Sequence, residues 1–234
     1  MRFTSTLLAL WTALAVSTTA PVAAAEKTVV VELFTSQGCS SCPPADALLA
    51  KLDENADVIA LALHVDYWDY IGWKDIFADP AYTARQKGYA RAAGARSIYT
   101  PQMVIGGLDH VVGYKPMDVA NTVQKHRDVP DGADVAARLA NNTVVVTLEP
   151  GRKRGQMVVN LIGYEPKETV KIKRGENAGR TITYTNTVRE MVTLGKWDGR
   201  SKKTFRHPKP EGGLAVVIVQ EDKHGPMVAA ARVK

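Results

Sequence analysis

Two cysteines are all that this chain contains, and they stand three positions apart in Cys39-Ser40-Ser41-Cys42. Thiols at this spacing can exchange with an external disulfide. The first, as a thiolate, opens the target and forms a mixed disulfide, and the second resolves it. Cys39 is the expected attacking group and Cys42 the resolving one. A zinc site would need four ligands, and no second CxxC is present to supply them. A structural staple is a poor use of the pair, because closing so short a loop contributes roughly 2 kcal/mol. Two soft thiolates also suit Cu(I), so copper handling, with His64 as a candidate third ligand, is a competing use.

The elements around the pair give it a setting. Lys27 to Phe34 is rich in β-branched residues, ends in Thr35-Ser36-Gln37-Gly38 and predicts a buried strand. Ala45, Leu48, Leu49 and Leu52 share one face of a helix expected from about Pro44 to Asn55, and Asp57 to Val65 is a second apolar strand. The cysteines therefore fall between a strand and a helix N-terminus, where free amides and the helix dipole favour a thiolate. Apolar strands separated by a helix suggest a parallel pair covered on both faces. A helix from Pro80 to about Ala93, a hairpin pairing Gln102–Ile105 with Asp109–Val112 across Gly106-Gly107, and a helix from Pro116 to Arg127 follow. The order is β-α-β-α-β-β-α.

The texture changes near Val129-Pro130-Asp131-Gly132. Beyond it, segments 144–148, 157–162, 169–173, 181–184, 188–194, 214–220 and 227–233 alternate in polarity between turns, which predicts a small all-β, sandwich-like domain. The expected organisation is a signal peptide over residues 1–25, an α/β domain over 26–128 and an all-β domain over 129–234. Arg2, the apolar stretch Leu7–Val16 and Ala23-Ala24-Ala25 form the signal pattern, with cleavage expected after Ala25. That reading places the protein in the periplasm or outside the cell, where disulfides persist. No later stretch is apolar enough for a membrane span of about 20 residues.

The full chain of 234 residues carries a net charge of +6, and removal of residues 1–25 takes away only Arg2, leaving +5. The basic residues, Lys167, Lys171, Lys173, Arg174 and Arg180 among them, are scattered, so no nucleic-acid partner is expected.

From about residue 27 to 128, the element order and the CxxC after the first strand resemble the thioredoxin-like superfamily. Tyr99-Thr100-Pro101-Gln102-Met103-Val104-Ile105-Gly106-Gly107 looks like the segment of that superfamily in which a cis-proline faces the CxxC. The resemblance implies that Pro101 is cis and that Thr100 offers its backbone to the substrate chain, a local β-augmentation. It also implies a buried acid that manages the proton of the second cysteine, for which Glu32 is the candidate. The segment departs from thioredoxins in having Gly38 rather than Trp before Cys39, Ser40-Ser41 between the cysteines, and Pro43-Pro44 after them.

More narrowly, the chain resembles the DUF1223 group of secreted bacterial proteins of unknown function. The resemblance lies in residues 32–46 (ELFTSQGCSSCPPAD), His64-Val65-Asp66-Tyr67-Trp68-Asp69, Gly72-Trp73-Lys74-Asp75 and Gly175-Glu176-Asn177-Ala178-Gly179-Arg180.

Two further groups are candidates. His64 and Asp66 end the second strand, at the sheet edge where α/β folds bind ligands. His64 could tune Cys39 or be a hydrogen-bonded structural residue. Trp68 and Trp73, with Tyr67, Tyr70 and Phe77, form either an apolar substrate surface beside the cysteines or the packing of a short insert. Gly175 to Arg180 reads as a turn with no chemical role. The expected activity is thiol–disulfide exchange without a cofactor, on protein or small-molecule disulfides. The alternatives are Cu(I) handling and a non-enzymatic binding protein with a fixed disulfide.

Overall fold

Val29–Thr35 (β1) and Val58–His64 (β2) are buried along their whole length and pair in parallel, Val29 opposite Val58 through Thr35 opposite His64. Parallel neighbours need a crossover, and the helix Pro43–Asp53 (α1) supplies it. The computed structural model describes residues 28–234 and places α1 on one face of this pair. Ala45, Leu49 and Leu52 of α1 pack there against Val31, Leu33, Ala60 and Ala62. The prolines sit in the first turn of α1, where an amide has no intrahelical acceptor to lose.

The helix Pro80–Ala92 (α2) covers the opposite face, where Tyr82 and Tyr89 meet Val30, Phe34, Ile59 and Leu61. Its start is fixed by Asp79, whose carboxylate accepts the amide of Ala81 at 2.7 Å. Gln102–Ile105 (β3) runs antiparallel to β1, and Asp109–Val112 (β4) antiparallel to β3. Pro116–Arg127 (α3) adds Val119 and Val123 to the core beside α1.

The strands of the C-terminal half are Asp134–Ala140 (β5), Thr143–Glu149 (β6), Met157–Lys171 (β7), Thr181–Trp197 (β8), Lys203–Pro208 (β9), Leu214–Glu221 (β10) and Met227–Arg232 (β11). This half is all-β, as its alternating segments predict, yet the sheet is not divided near residue 129. β8 joins β2 in parallel at Thr187 and Ala62, giving one eight-stranded mixed sheet in the order β11-β10-β7-β8-β2-β1-β3-β4. Ile162, Tyr164, Val188, Val216 and Ile218 extend the apolar layer under α2 without a break.

A second sheet, β5-β6-β9, stacks on the C-terminal strands through Val144, Val146 and Leu148 against Val159, Leu161, Val217 and Val219. The sandwich-like packing is thus grafted onto the edge of the α/β sheet. β7 and β8 form a long hairpin whose register shifts at Val159/Asn160 and Gly163/Tyr164. Its tip, residues 172–180, reaches back to the end of β1. The expected signal peptide, residues 1–25, lies outside the described residues.

Candidate functional site

The loop leaving β1 turns at Ser36 and delivers Cys39 and Cys42 to the N-terminus of α1, where Cys42 is the N-cap. The two are joined in a disulfide with an S–S distance of 2.18 Å and 5.4 Å between Cα atoms. Both cysteines are 0% exposed, whereas Ser40 and Ser41 between them face solvent. The Ser41 hydroxyl lies 3.4 Å from Cys39 Sγ and, the sulfur being oxidised, is the donor.

A layer of buried polar groups lies behind the pair. Asp46 stands one turn after Cys42, its amide 3.1 Å from the Cys42 carbonyl, so the two side chains share a helix face. Thr35 donates its hydroxyl to Asp46 Oδ1 at 2.8 Å. Burial pushes the Asp46 carboxyl up to about 7, although the pull of His64 and the Thr35 hydrogen bond oppose it. His64, beside Thr35 in the β1–β2 register, turns Nδ1 to Asp75 Oδ2 at 2.7 Å.

Asp75 also accepts the amides of Gln37 (2.7 Å) and Phe77 (2.9 Å). Burial alone would raise its carboxyl, but His64 and these two amides more than offset that and hold it below its ordinary value. Tyr184 of β8 packs edge-on against His64, centroids 4.9 Å apart, and burial beside Asp46 and Asp75 holds its phenol far above its usual range. Gln37 Nε2, Asp46 Oδ2, His64 Nε2, Asn177 Oδ1 and the Tyr184 hydroxyl oxygen are buried here without a hydrogen-bond partner. Such a concentration of unsatisfied polar atoms marks a site, because elsewhere buried polar groups are nearly always paired.

The residues singled out in the sequence take up distinct places. The Thr100–Pro101 bond is cis. Pro101 lies near the start of α1, since a Cβ on Gly113 would be 3.2 Å from Pro101 Cβ and 3.1 Å from Ala45 Cβ. Trp68 donates its indole N–H to the Thr100 hydroxyl at 2.7 Å, and Trp73 donates to Gln37 Oε1 at 2.8 Å. The insert is therefore clamped to both sides of the site. Tyr70 at its crest is 82% exposed.

Glu32 shares the opposite face of β1, with Val30 and Phe34, and its carboxylate is fully committed. Arg85 donates through Nε at 2.7 Å and Nη2 at 3.0 Å, and Tyr89 donates its hydroxyl at 2.5 Å. On the cysteine side of the sheet the buried acids are Asp75 and Asp46, and Asp46 is not among the residues expected from the sequence. Its four-residue spacing from Cys42 was the available signal. Asp66 is held by the Thr83 hydroxyl at 2.5 Å, away from this layer.

The tip of the β7–β8 hairpin, a turn by its sequence, also reaches the cysteine loop. Asn177, 1% exposed, donates its amide to the carbonyls of Gln37 (3.0 Å) and Cys39 (2.9 Å). The Ser40 amide donates to Glu176 Oε2 at 3.2 Å. Gly175 adopts φ +76° and lies against Trp73, whose Cβ would be 3.2 Å from any Cβ added there. Its lack of a side chain thus meets two demands at once. Among the described residues, no three His, Cys, Asp or Glu side chains are grouped as a metal ion would require.

Comparison with known proteins gives a relationship and no activity. No curated protein matches the chain. A protein of Agrobacterium tumefaciens, known from its crystal structure, is 34% identical and superposes with a TM-score of 0.78, covering 89% of this chain and 95% of its own. HBP35 of Porphyromonas gingivalis shares the fold alone, at 15% identity and a TM-score of 0.62, over 88% of this chain and 74% of its own. The model of a family described as protein of unknown function, DUF1223, matches residues 30–220, and the chain belongs to that family.

Proposed function

We propose that this protein is an exported thiol–disulfide oxidoreductase with a thioredoxin-like core. The sheet order β2-β1-β3-β4, with helices on both faces and a Cys-X-X-Cys disulfide at the N-terminus of α1, supports that reading. The observation that carries it is the meeting of three features at the start of α1: the disulfide, the nearby Thr100–Pro101 segment, and the buried Asp46 one turn behind Cys42. Export rests on the N-terminal signal pattern in the sequence.

In the reducing direction, the Cys39 thiolate attacks one sulfur of the target and expels the other as a thiolate. Cys42 gives its proton to Asp46 and attacks Cys39 Sγ. The disulfide re-forms, and the second target thiolate leaves. Two electrons pass from the dithiol to the target. In the oxidising direction the steps reverse, and protonated Asp46 supplies the proton to the Cys42 sulfur. A carboxyl near 7 is matched to both tasks. Thr100, Pro101, Trp68 and Trp73 frame the approach to Cys39.

The zero exposure of both cysteines favours a second reading, a binding protein whose disulfide is fixed. One pair of measurements separates the two. Equilibration with glutathione is expected to give a potential between roughly −120 and −270 mV, the span of catalytic dithiols. Cys42→Ser is expected to trap mixed disulfides that Cys39→Ser does not. A potential below about −300 mV with nothing trapped would overturn the oxidoreductase reading and favour the binding one.

A further inference from the structure

On the thiol–disulfide reading above, on which this inference rests, the charge on the hairpin tip bears on which disulfides the site takes. Residues 171–180 hold Lys171, Lys173, Arg174 and Arg180 against a single acid, Glu176. All four cations are exposed, and none forms an ion pair among the described residues. They flank Asn177, whose amide is bonded to Cys39 itself, and the Arg180 amide is bonded to the Asn177 carbonyl at 3.2 Å. The cations are therefore carried to the neighbourhood of the disulfide by the main chain of the tip. Lys74, next to the Trp73 that packs on Gly175, adds a further cation on the insert. Asp69 lies close enough to Lys74 to feel its charge, and Asp66 and Asp75 lie near Asp69, so the insert side of the rim carries acids while the hairpin side carries the cations.

The second observation is the place Glu176 has taken. Its carboxylate accepts the Ser40 amide, in the turn between the two cysteines. The Ser40 hydroxyl and amide hold it below its ordinary range although it is fully exposed. This corner thus already binds a carboxylate, supplied by the chain itself.

We infer that the site selects disulfides bearing carboxylates, the tip cations drawing them in and the Ser40 corner receiving an acidic group in place of Glu176. Attraction of this kind acts mainly on association. It is screened beyond roughly 8 Å at physiological ionic strength, so it is strongest for a substrate already at the rim. Transfer to such a substrate follows the exchange written above. Cys39 bonds to one sulfur and the other leaves as an anionic thiolate. Cys42 then releases the second.

The test compares three small disulfides on the reduced protein: anionic glutathione disulfide, neutral hydroxyethyl disulfide and cationic cystamine. Second-order rate constants are read by quenching with an alkylating agent. Reversing charge at the tip, Lys173→Glu with Arg174→Glu, is expected to lower the glutathione-to-cystamine rate ratio by on the order of tenfold at low ionic strength. High salt is expected to shrink that difference, and Glu176→Gln to raise the ratio. The comparison between proteins cancels the intrinsic reactivities of the three reagents. A ratio that charge reversal leaves within about twofold would overturn the preference while leaving the oxidoreductase reading intact. Failure of the wild-type dithiol to react with any of the three would overturn that reading, and this inference with it.

Discussion

Glu32 and Asp46 are both buried acids near the end of β1, and the difference between their partners decides what each can do. Glu32 meets a guanidinium and a phenol, so its charge is neutralised in place and its lone pairs are used. Asp46 meets one hydroxyl and has an oxygen left over, so burial dominates and the proton is held to about 7. The sign of the resulting stability change follows. The unfolded carboxyl titrates near 3.8, so between about pH 4 and pH 7 the folded chain binds the extra proton. Stability from this group is fully present at low pH and is lost as pH rises through 7, by at most about 4 kcal/mol. Asp46→Asn keeps an acceptor for Thr35 and cannot ionise. It is expected to equal the wild type in urea unfolding at pH 4 and to exceed it by about 2–4 kcal/mol at pH 8. A difference that does not change with pH would remove Asp46 from the proton-holding role, whatever its effect on stability.

The elements owe their legibility to how local their causes are. α1, α2, α3 and β1 to β4 stand where apolar spacing, prolines and the Gly106-Gly107 turn predict them, because each is specified within its own residues. β7 and β8 were read as pairs of shorter segments. Bulges at Val159/Asn160 and Gly163/Tyr164 break the alternation without breaking the strand pairing. β5 went unread because it buries one alanine, Ala137, and β9 because its outward residues are polar. The hairpin tip's role was not legible at all, since its partners lie about 140 positions away and no local pattern announces them. Asn177→Ala tests that role at the scale of the element. It leaves the Gln37 and Cys39 carbonyls without their donor and is expected to cost about 1–3 kcal/mol in urea unfolding. It is also expected to speed reduction of the disulfide by dithiothreitol severalfold, because the tip is then less firmly held over Cys39. Destabilisation with no change in that rate would make Asn177 a structural brace only.

At the scale of the whole molecule, the two halves read from composition are joined through hydrogen bonds and core. The Ala62–Thr187 pairing makes one sheet of them, and Ile162, Tyr164, Val188, Val216 and Ile218 complete the layer that α2 covers. Arg85 bonds Glu32 in β1 and, at 3.1 Å, Gln220 in β10, so even the buried charge is shared. Arg232 of β11 donates to the carbonyls of Ala56 and Val58 at the start of β2. Cutting the chain at residue 128 would uncover the β2 edge and this apolar layer together, a loss that N-terminal packing on α1 and α3 cannot replace. Residues 26–128 are therefore expected to lack cooperative unfolding and near-ultraviolet circular dichroism when produced alone. Residues 26–234 are expected to unfold in one urea transition seen alike by tryptophan fluorescence and far-ultraviolet dichroism. Tryptophan serves as a reporter of both halves, since Trp68 and Trp73 frame the disulfide and Trp197 lies in the second core. Two separated transitions, or a folded N-terminal fragment, would mean that the hairpin tip covers the cysteines as a docked neighbour, free to leave without unfolding the sheet that presents them.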